Sequence, residues 1–311
     1  MAFAEGCAGA AVLHLGTGLL SGVVHEDPIE ETRALLAARD FERAREVAVH
    51  ALRDHPEDAS LLRLAGQANL ELGNPEAVEL LQRAADADPD QPEVWQELGD
   101  ALIADGDVTG ARAAFRRAAA LQPDGVGAHV DLAHAAYADG DAEEAISELE
   151  GVLERDPDNV SVLRSLVAIS RSAGRTPEAH AAAARLAEAE PADPDALLQL
   201  AELSLELGRI DQAVEAYRHL RAVDEDEHQI YAYHGMIEAE LAREGWRRAL
   251  DFAIEATRVD RLGRTTDILA YIVAQVFGAG ERSAPSRAEV DAALAASHAQ
   301  HRREHEEALV L

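Results

Sequence analysis

The 311-residue chain contains no lysine, so all 28 of its basic residues are arginines. That absence excludes a GxxxxGK[ST] phosphate-binding loop, a kinase-type lysine and any Schiff-base lysine. A single cysteine, Cys7, excludes an internal disulfide framework and every multi-cysteine zinc or iron–sulfur site. Aromatic residues make up only 4% of a chain that is 48% hydrophobic, so alanine and leucine must build the core. Against 28 arginines stand 59 acidic residues, a formal net charge of −31. Phosphate repulsion on that scale argues against nucleic acid as a partner and disfavours anionic lipid surfaces. No GxSxG elbow and no nucleophile–base pairing is readable. The expectation is a protein that is not an enzyme and holds neither cofactor nor metal.

What the chain does have is a period. Pro56, Pro89, Pro123, Pro157 and Pro191 are separated by 33, 34, 34 and 34 residues. Gly73, Gly106, Gly140, Gly174 and Gly208 repeat with the same spacings, and Ala44, Ala77, Ala111, Ala145, Ala179 and Ala213 run in phase. Three series in phase mark a repeat protein of period 34. Within residues 92–124, Val94, Trp95, Leu98, Ala101 and Leu102 fall at helical spacing, and Gly106-Asp107 breaks that helix. Ala111, Ala114, Phe115, Ala118 and Leu121 mark a second helix, which Pro123 ends. Two such helices cannot bury their apolar faces alone, so the pairs must stack. Gly99 and Ala111 are expected to let paired helices approach, with Trp95, Leu98 and Phe115 filling the space between successive pairs.

This unit resembles a tetratricopeptide repeat through Trp95, Leu98, Gly99, Ala111, Phe115, Ala118 and Pro123. The resemblance covers about 230 residues, in units at about 28–58, 59–91, 92–125, 126–159, 160–193, 194–227 and 228–261. The first unit is degraded. The last is divergent, with a longer first helix before Gly245 and no terminal proline. The resemblance implies an all-α, right-handed solenoid of tandem helix-turn-helix units with terminal capping helices. Residues 1–27 read as a glycine-rich apolar tail, 262–279 as a capping helix, and 280–311 as a linker and carboxy-terminal helix.

The family is defined by packing residues, so it implies an interaction scaffold without naming a partner. Some members clamp acidic chaperone tails with lysines, arginines and asparagines on their first helices. The matching positions here are largely of the opposite sort, and a carboxylate clamp is not expected. Candidate partner-binding residues on the inward face are Glu93, Gln96, Glu97, Asp100, Asp131, His134, Gln199 and Glu202. Glu93, Glu97 and Asp100 fall at i, i+4 and i+7, on one stripe of a helix. Two accounts stay open: a groove that recruits a basic segment, or the general acid surplus of the chain. Seven of the twelve aromatic residues fall between 217 and 277, which is either a bulkier core or a peptide pocket.

Function is therefore expected to be that of a non-catalytic interaction scaffold or assembly adaptor, binding a segment of another protein along the concave face. The alternative is a structural component that self-associates through its solenoid ends, amino-terminal tail or carboxy-terminal helix. Residues 6–24 contain no Asp, Glu, Lys or Arg, but five glycines make them poorly hydrophobic and no basic residue precedes them. A signal or anchor is disfavoured on those grounds. A loose tail and a docking segment remain as readings, and a cytoplasmic location is expected. His301-Arg-Arg-Glu304-His305 fits an HxxEH zinc pattern, with His298 on the same helical face. Among 13 histidines such a match is expected by chance, and a solvated or interface-facing helix is the preferred reading.

Overall fold

A computed structural model describes residues 27–223, 229–260 and 265–277. Among these residues the chain forms fifteen helices and no strand. The sequence expectations for residues 6–24 and for His298, His301, Glu304 and His305 lie outside the described residues. Contacts divide the chain into two compact units meeting between Ala87 and Asp88. The first holds α1 (Pro28–Ala37), α2 (Phe41–Ala51), α3 (Ala59–Glu71) and α4 (Glu76–Ala87). The second holds α5 (Pro92–Asp105), α6 (Val108–Leu121), α7 (Val126–Ala138), α8 (Ala142–Leu153), α9 (Val160–Ser172), α10 (Thr176–Ala189), α11 (Pro194–Glu206), α12 (Ile210–Val223), α13 (Gln229–Ala242), α14 (Trp246–Val259) and α15 (Thr265–Phe277). Within each unit consecutive helices pack on each other, and α15 packs on α14.

Part of the acid surplus is used to start helices. Asp40, Asp107 and Asp141 cap second helices by accepting from the amides of Arg43, Gly110 and Glu144. Asp58, Asn159 and Asp193 do the same for first helices, through Leu61, Val162 and Asp195. Each such cap contributes about 1 kcal/mol, and a carboxylate also suits the positive helix N-terminus.

Between paired helices the chain passes through one left-handed residue. Gly106 does this at φ 86°, and Gly73, Gly140, Gly174 and Gly208 repeat it. Only glycine adopts that region without steric cost. At two further turns a side chain bears the strain, Arg39 at φ 58° and Glu244 at φ 60°. The break expected at Gly245 is thus one residue earlier. Gly245 is the N-cap of α14, at φ −78°. Preceding it, α13 has 14 residues, as α5 does, against 13 in α3, α7, α9 and α11.

The pairs share their cores. Phe115 is 3% exposed and joins Ala111 and Ala118 to Ala128, Leu132 and Ala135 of the next pair. It also covers Gly99, where a Cβ would sit 2.5 Å from its Cε1 atom. Trp95 packs against this same cluster without being enclosed by it. It is only partly buried at the cluster's edge, and its indole Nε1 donates to the Pro89 carbonyl at 2.9 Å. A ring with a polar handle settles where one end stays near the surface. Further along, Tyr217, Tyr231, Tyr233 and Tyr271 are 0–6% exposed. They belong to the packed clusters around α12–α15, so the carboxy-terminal aromatics among the described side chains build a bulkier core.

Candidate functional site

The first helices of the second unit, α5, α7, α9, α11 and α13, are joined by polar rungs. Gln96 on α5 donates to Asp131 on α7 at 3.2 Å. His134 on α7 meets the Ser165 hydroxyl on α9 at 3.2 Å. Arg171 on α9 reaches Glu202 on α11 at 2.7 Å and Glu206 at 3.4 Å. The Tyr231 hydroxyl on α13 donates to the second Glu202 oxygen. These bonds span 29 to 35 residues of sequence, one repeat each.

The candidate residues fall into two groups along this ladder. Glu93, Gln96, Glu97, Asp100, Asp131 and His134 gather around α5 and α7, with Glu93 and Asp100 exposed. Desolvation, then the like charges of Asp131 and Glu97, push the Asp100 carboxyl up to about 6. Burial raises Asp131 as well, while the Gln96 bond and His134 pull it back. Gln199 and Glu202 stand apart, on α11. Glu202 is 11% exposed and committed to Arg171 and Tyr231, which makes it a rung between pairs. Between the groups, α9 presents Arg164, bonded to Glu190 and Asp193 at 2.5 Å each, and Arg171. Glu93, Glu97 and Asp100 on α5 thus stand beside Asp131 of α7, whereas Glu202 and Glu206 of α11 face Arg171.

Sequence reasoning missed where the arginines go. Arg112 on α6 bonds Asp139 at 2.8 Å, Asp141 at 2.6 Å and also Glu144, all in the next pair. Arg175 takes Glu143 at 2.8 Å, and Arg243 takes Asp211 at 2.7 Å and the buried Glu240 at 2.6 Å. Arg209 donates to His180 Nδ1 at 3.0 Å, which leaves the proton on Nε2 to be donated to Ser204. Burial and then the Arg209 charge hold His180 below its ordinary value. Arginine–carboxylate pairs of this kind run from pair to pair, and they withdraw much of the positive charge from open surface. A recurrence was there to be seen in Arg83, Arg117 and Arg185, at multiples of 34 residues. Arg83 and Arg185 donate to the Pro56 and Pro157 carbonyls, and Arg117 pairs with Asp90.

Among the described residues, no group of three His, Cys, Asp or Glu side chains is placed to hold a metal ion. None of the described helices is long and apolar enough to cross a membrane.

Tetratricopeptide-repeat profiles match residues 30–92, 74–126, 102–169 and 170–237. No curated protein matches in sequence. Among solved structures, the carboxy-terminal part of a TPR repeat-containing protein from Cytophaga hutchinsonii aligns with TM-score 0.59 at 13% identity, over 82% of this chain and 97% of that one. A tetratricopeptide repeat protein from Parabacteroides merdae gives TM-score 0.51 at 16% identity, over 78% and 96%. PilW, described as a widely conserved type IV pilus biogenesis factor, gives 0.50 at 20% identity, over 63% and 91%. At these identities the likeness is one of fold.

Proposed function

Since the chain belongs to the tetratricopeptide-repeat family, we propose that it is a non-catalytic, cytoplasmic interaction scaffold that recruits a basic segment of another protein against α5 and α7. The observation that carries this reading is the set of acids that α5 and α7 bring together, Glu93, Glu97 and Asp100 beside Asp131, where burial and then the like charges of Asp131 and Glu97 push the Asp100 carboxyl up to about 6. A partner's guanidinium or ammonium group placed there relieves the repulsion, a gain the free protein lacks. Binding at this place releases a proton, so affinity rises with pH through about 6. Electrostatics of this sort sets the on-rate more than the final affinity.

The test is an arginine-rich peptide titrated against the whole chain and against E93R/E97R/D100R. Three exposed acids on α8 and the turn after it, reversed as E150R/E154R/D158R, form the control. Glu143, Glu144 and Glu148 are unsuitable, because they hold Arg175, Arg112 and His129. Loss confined to the first variant supports the reading, and it should be steep in salt as the screening length falls from about 10 Å at 0.1 M to about 3 Å at 1 M. Equal loss in both variants leaves only general charge attraction. Unchanged binding in the first removes α5 from the site.

A further inference from the structure

A repeat protein carries its own control: a residue that departs from its counterparts 34 positions away marks a unit that does something different. The pair formed by α10 and α11 departs most. Ala184 stands where Gln82, Arg116, Glu150 and Arg218 do, and on α12 His219 stands where Arg83, Arg117 and Arg185 do, Gly151 being the other position without the arginine. The long polar cover on α10 and the strapping arginine on α12 are thus both shortened at one junction.

The consequence is a cleft of about 440 Å³ between α10, α11 and α12, floored by Ala184, Ala187, Leu197, Leu200 and Ala216. That volume is in the range of about 300–1,000 Å³ usual for ligand clefts. Leu200 shows the effect directly. Its repeat counterparts Leu98, Leu132 and Leu166 are 2%, 1% and 5% exposed, whereas Leu200 is only partly buried. Two exposed carboxylates, Glu188 and Glu215, and the exposed His219 stand at the mouth. On the wall, His180 is tied on one side to Arg209 and on the other to Ser204.

We propose that this cleft is a second docking site, which takes one large apolar side chain carried on a basic segment of another protein, with arginines or lysines on either side meeting Glu188 and Glu215. The uncovered leucine floor selects the apolar side chain, and the carboxylates at the mouth select its flanks. The site stands on α10, α11 and α12 and is independent of the face on α5 and α7.

The probe is the synthetic peptide Arg-Gly-Arg-Leu-Arg-Gly-Arg, compared with forms carrying alanine for leucine or glutamate for arginine, titrated against the whole chain. The leucine form should bind up to about fiftyfold more tightly than the alanine form, the difference that full burial of its three extra carbons implies. Ala184→Leu fills the cleft and should abolish that advantage, while E93R/E97R/D100R should leave it intact. E188R/E215R, on exposed surface, should weaken the arginine forms and spare the glutamate form. No leucine advantage in the natural chain overturns the proposal. So does an advantage that survives Ala184→Leu, or arginine-peptide affinity unchanged by E188R/E215R.

Discussion

Replacing Gly99 with alanine should destabilise the second unit, and the same replacement should be harmless once Phe115 is gone. Alanine is favoured over glycine inside a helix by about 1 kcal/mol. Against that, the added Cβ lands 2.5, 2.6 and 2.7 Å from three atoms of the Phe115 ring. Overpacking of this kind costs about 1–3 kcal/mol, and three contacts under 3 Å place it in the upper part of that range. Gly99→Ala alone should therefore cost about 1–2 kcal/mol net. Phe115→Ala, which empties a 3%-exposed site, should cost about 3–5 kcal/mol. In the double variant the new methyl occupies space the ring has left. Gly99→Ala should then stabilise by up to about 1 kcal/mol, a coupling of about 2–3 kcal/mol. Urea unfolding followed by circular dichroism gives the cycle. Amide exchange over 92–138 localises it, because stacked pairs unfold in parts. Additivity to within about 0.5 kcal/mol would show that the ring does not rest on Gly99.

Glu244→Gly should raise stability by about 1 kcal/mol, since glycine takes φ 60° without the left-handed penalty; slower amide exchange in α13 and α14 is the readout, and faster exchange would contradict the turn geometry. Asp100→Asn addresses the pH dependence. Its folded value of about 6 lies above the ordinary carboxylate value of 3.8, so between these pH values the folded state holds a proton that the unfolded state gives up. Stability contributed here falls as pH rises through that window, and Asp131, shifted the same way, adds to the fall. The asparagine variant should gain up to about 1 kcal/mol at pH 7 after allowance for solvent screening of an exposed group, and little at pH 4; urea midpoints at the two pH values decide it.

Helix pairing, turn positions and the first-helix stripe were legible because each follows from a local rule. A 34-residue period with glycine in phase states where a left-handed turn is needed, and Gly106 at φ 86° supplies it. Helical spacing alone puts Glu93, Glu97 and Asp100 on one stripe. Where the pattern lapsed, the rule failed by one residue: Gly245 drew the break that Glu244 makes, because a side chain can occupy the left-handed region when the surrounding packing compensates.

Contacts between pairs were not legible. Glu202 reads as one more groove acid, yet Arg171 and Tyr231, 31 and 29 residues away, tie it into the ladder. Trp95 reads as core, yet the Pro89 carbonyl holds its ring at the edge. The run of alanines at 181–184 was visible, but whether small side chains close up or leave Leu200 uncovered depends on the bulk of α11 and α12 beside them. What repeats is set locally, since backbone conformation and helical phase depend on residues within a turn or two of each other. Which acids stay open, which arginines are consumed and where a cleft remains follow from packing between units. Those outcomes depend on distances between side chains a whole repeat apart, set by how each helix pair is seated on the next.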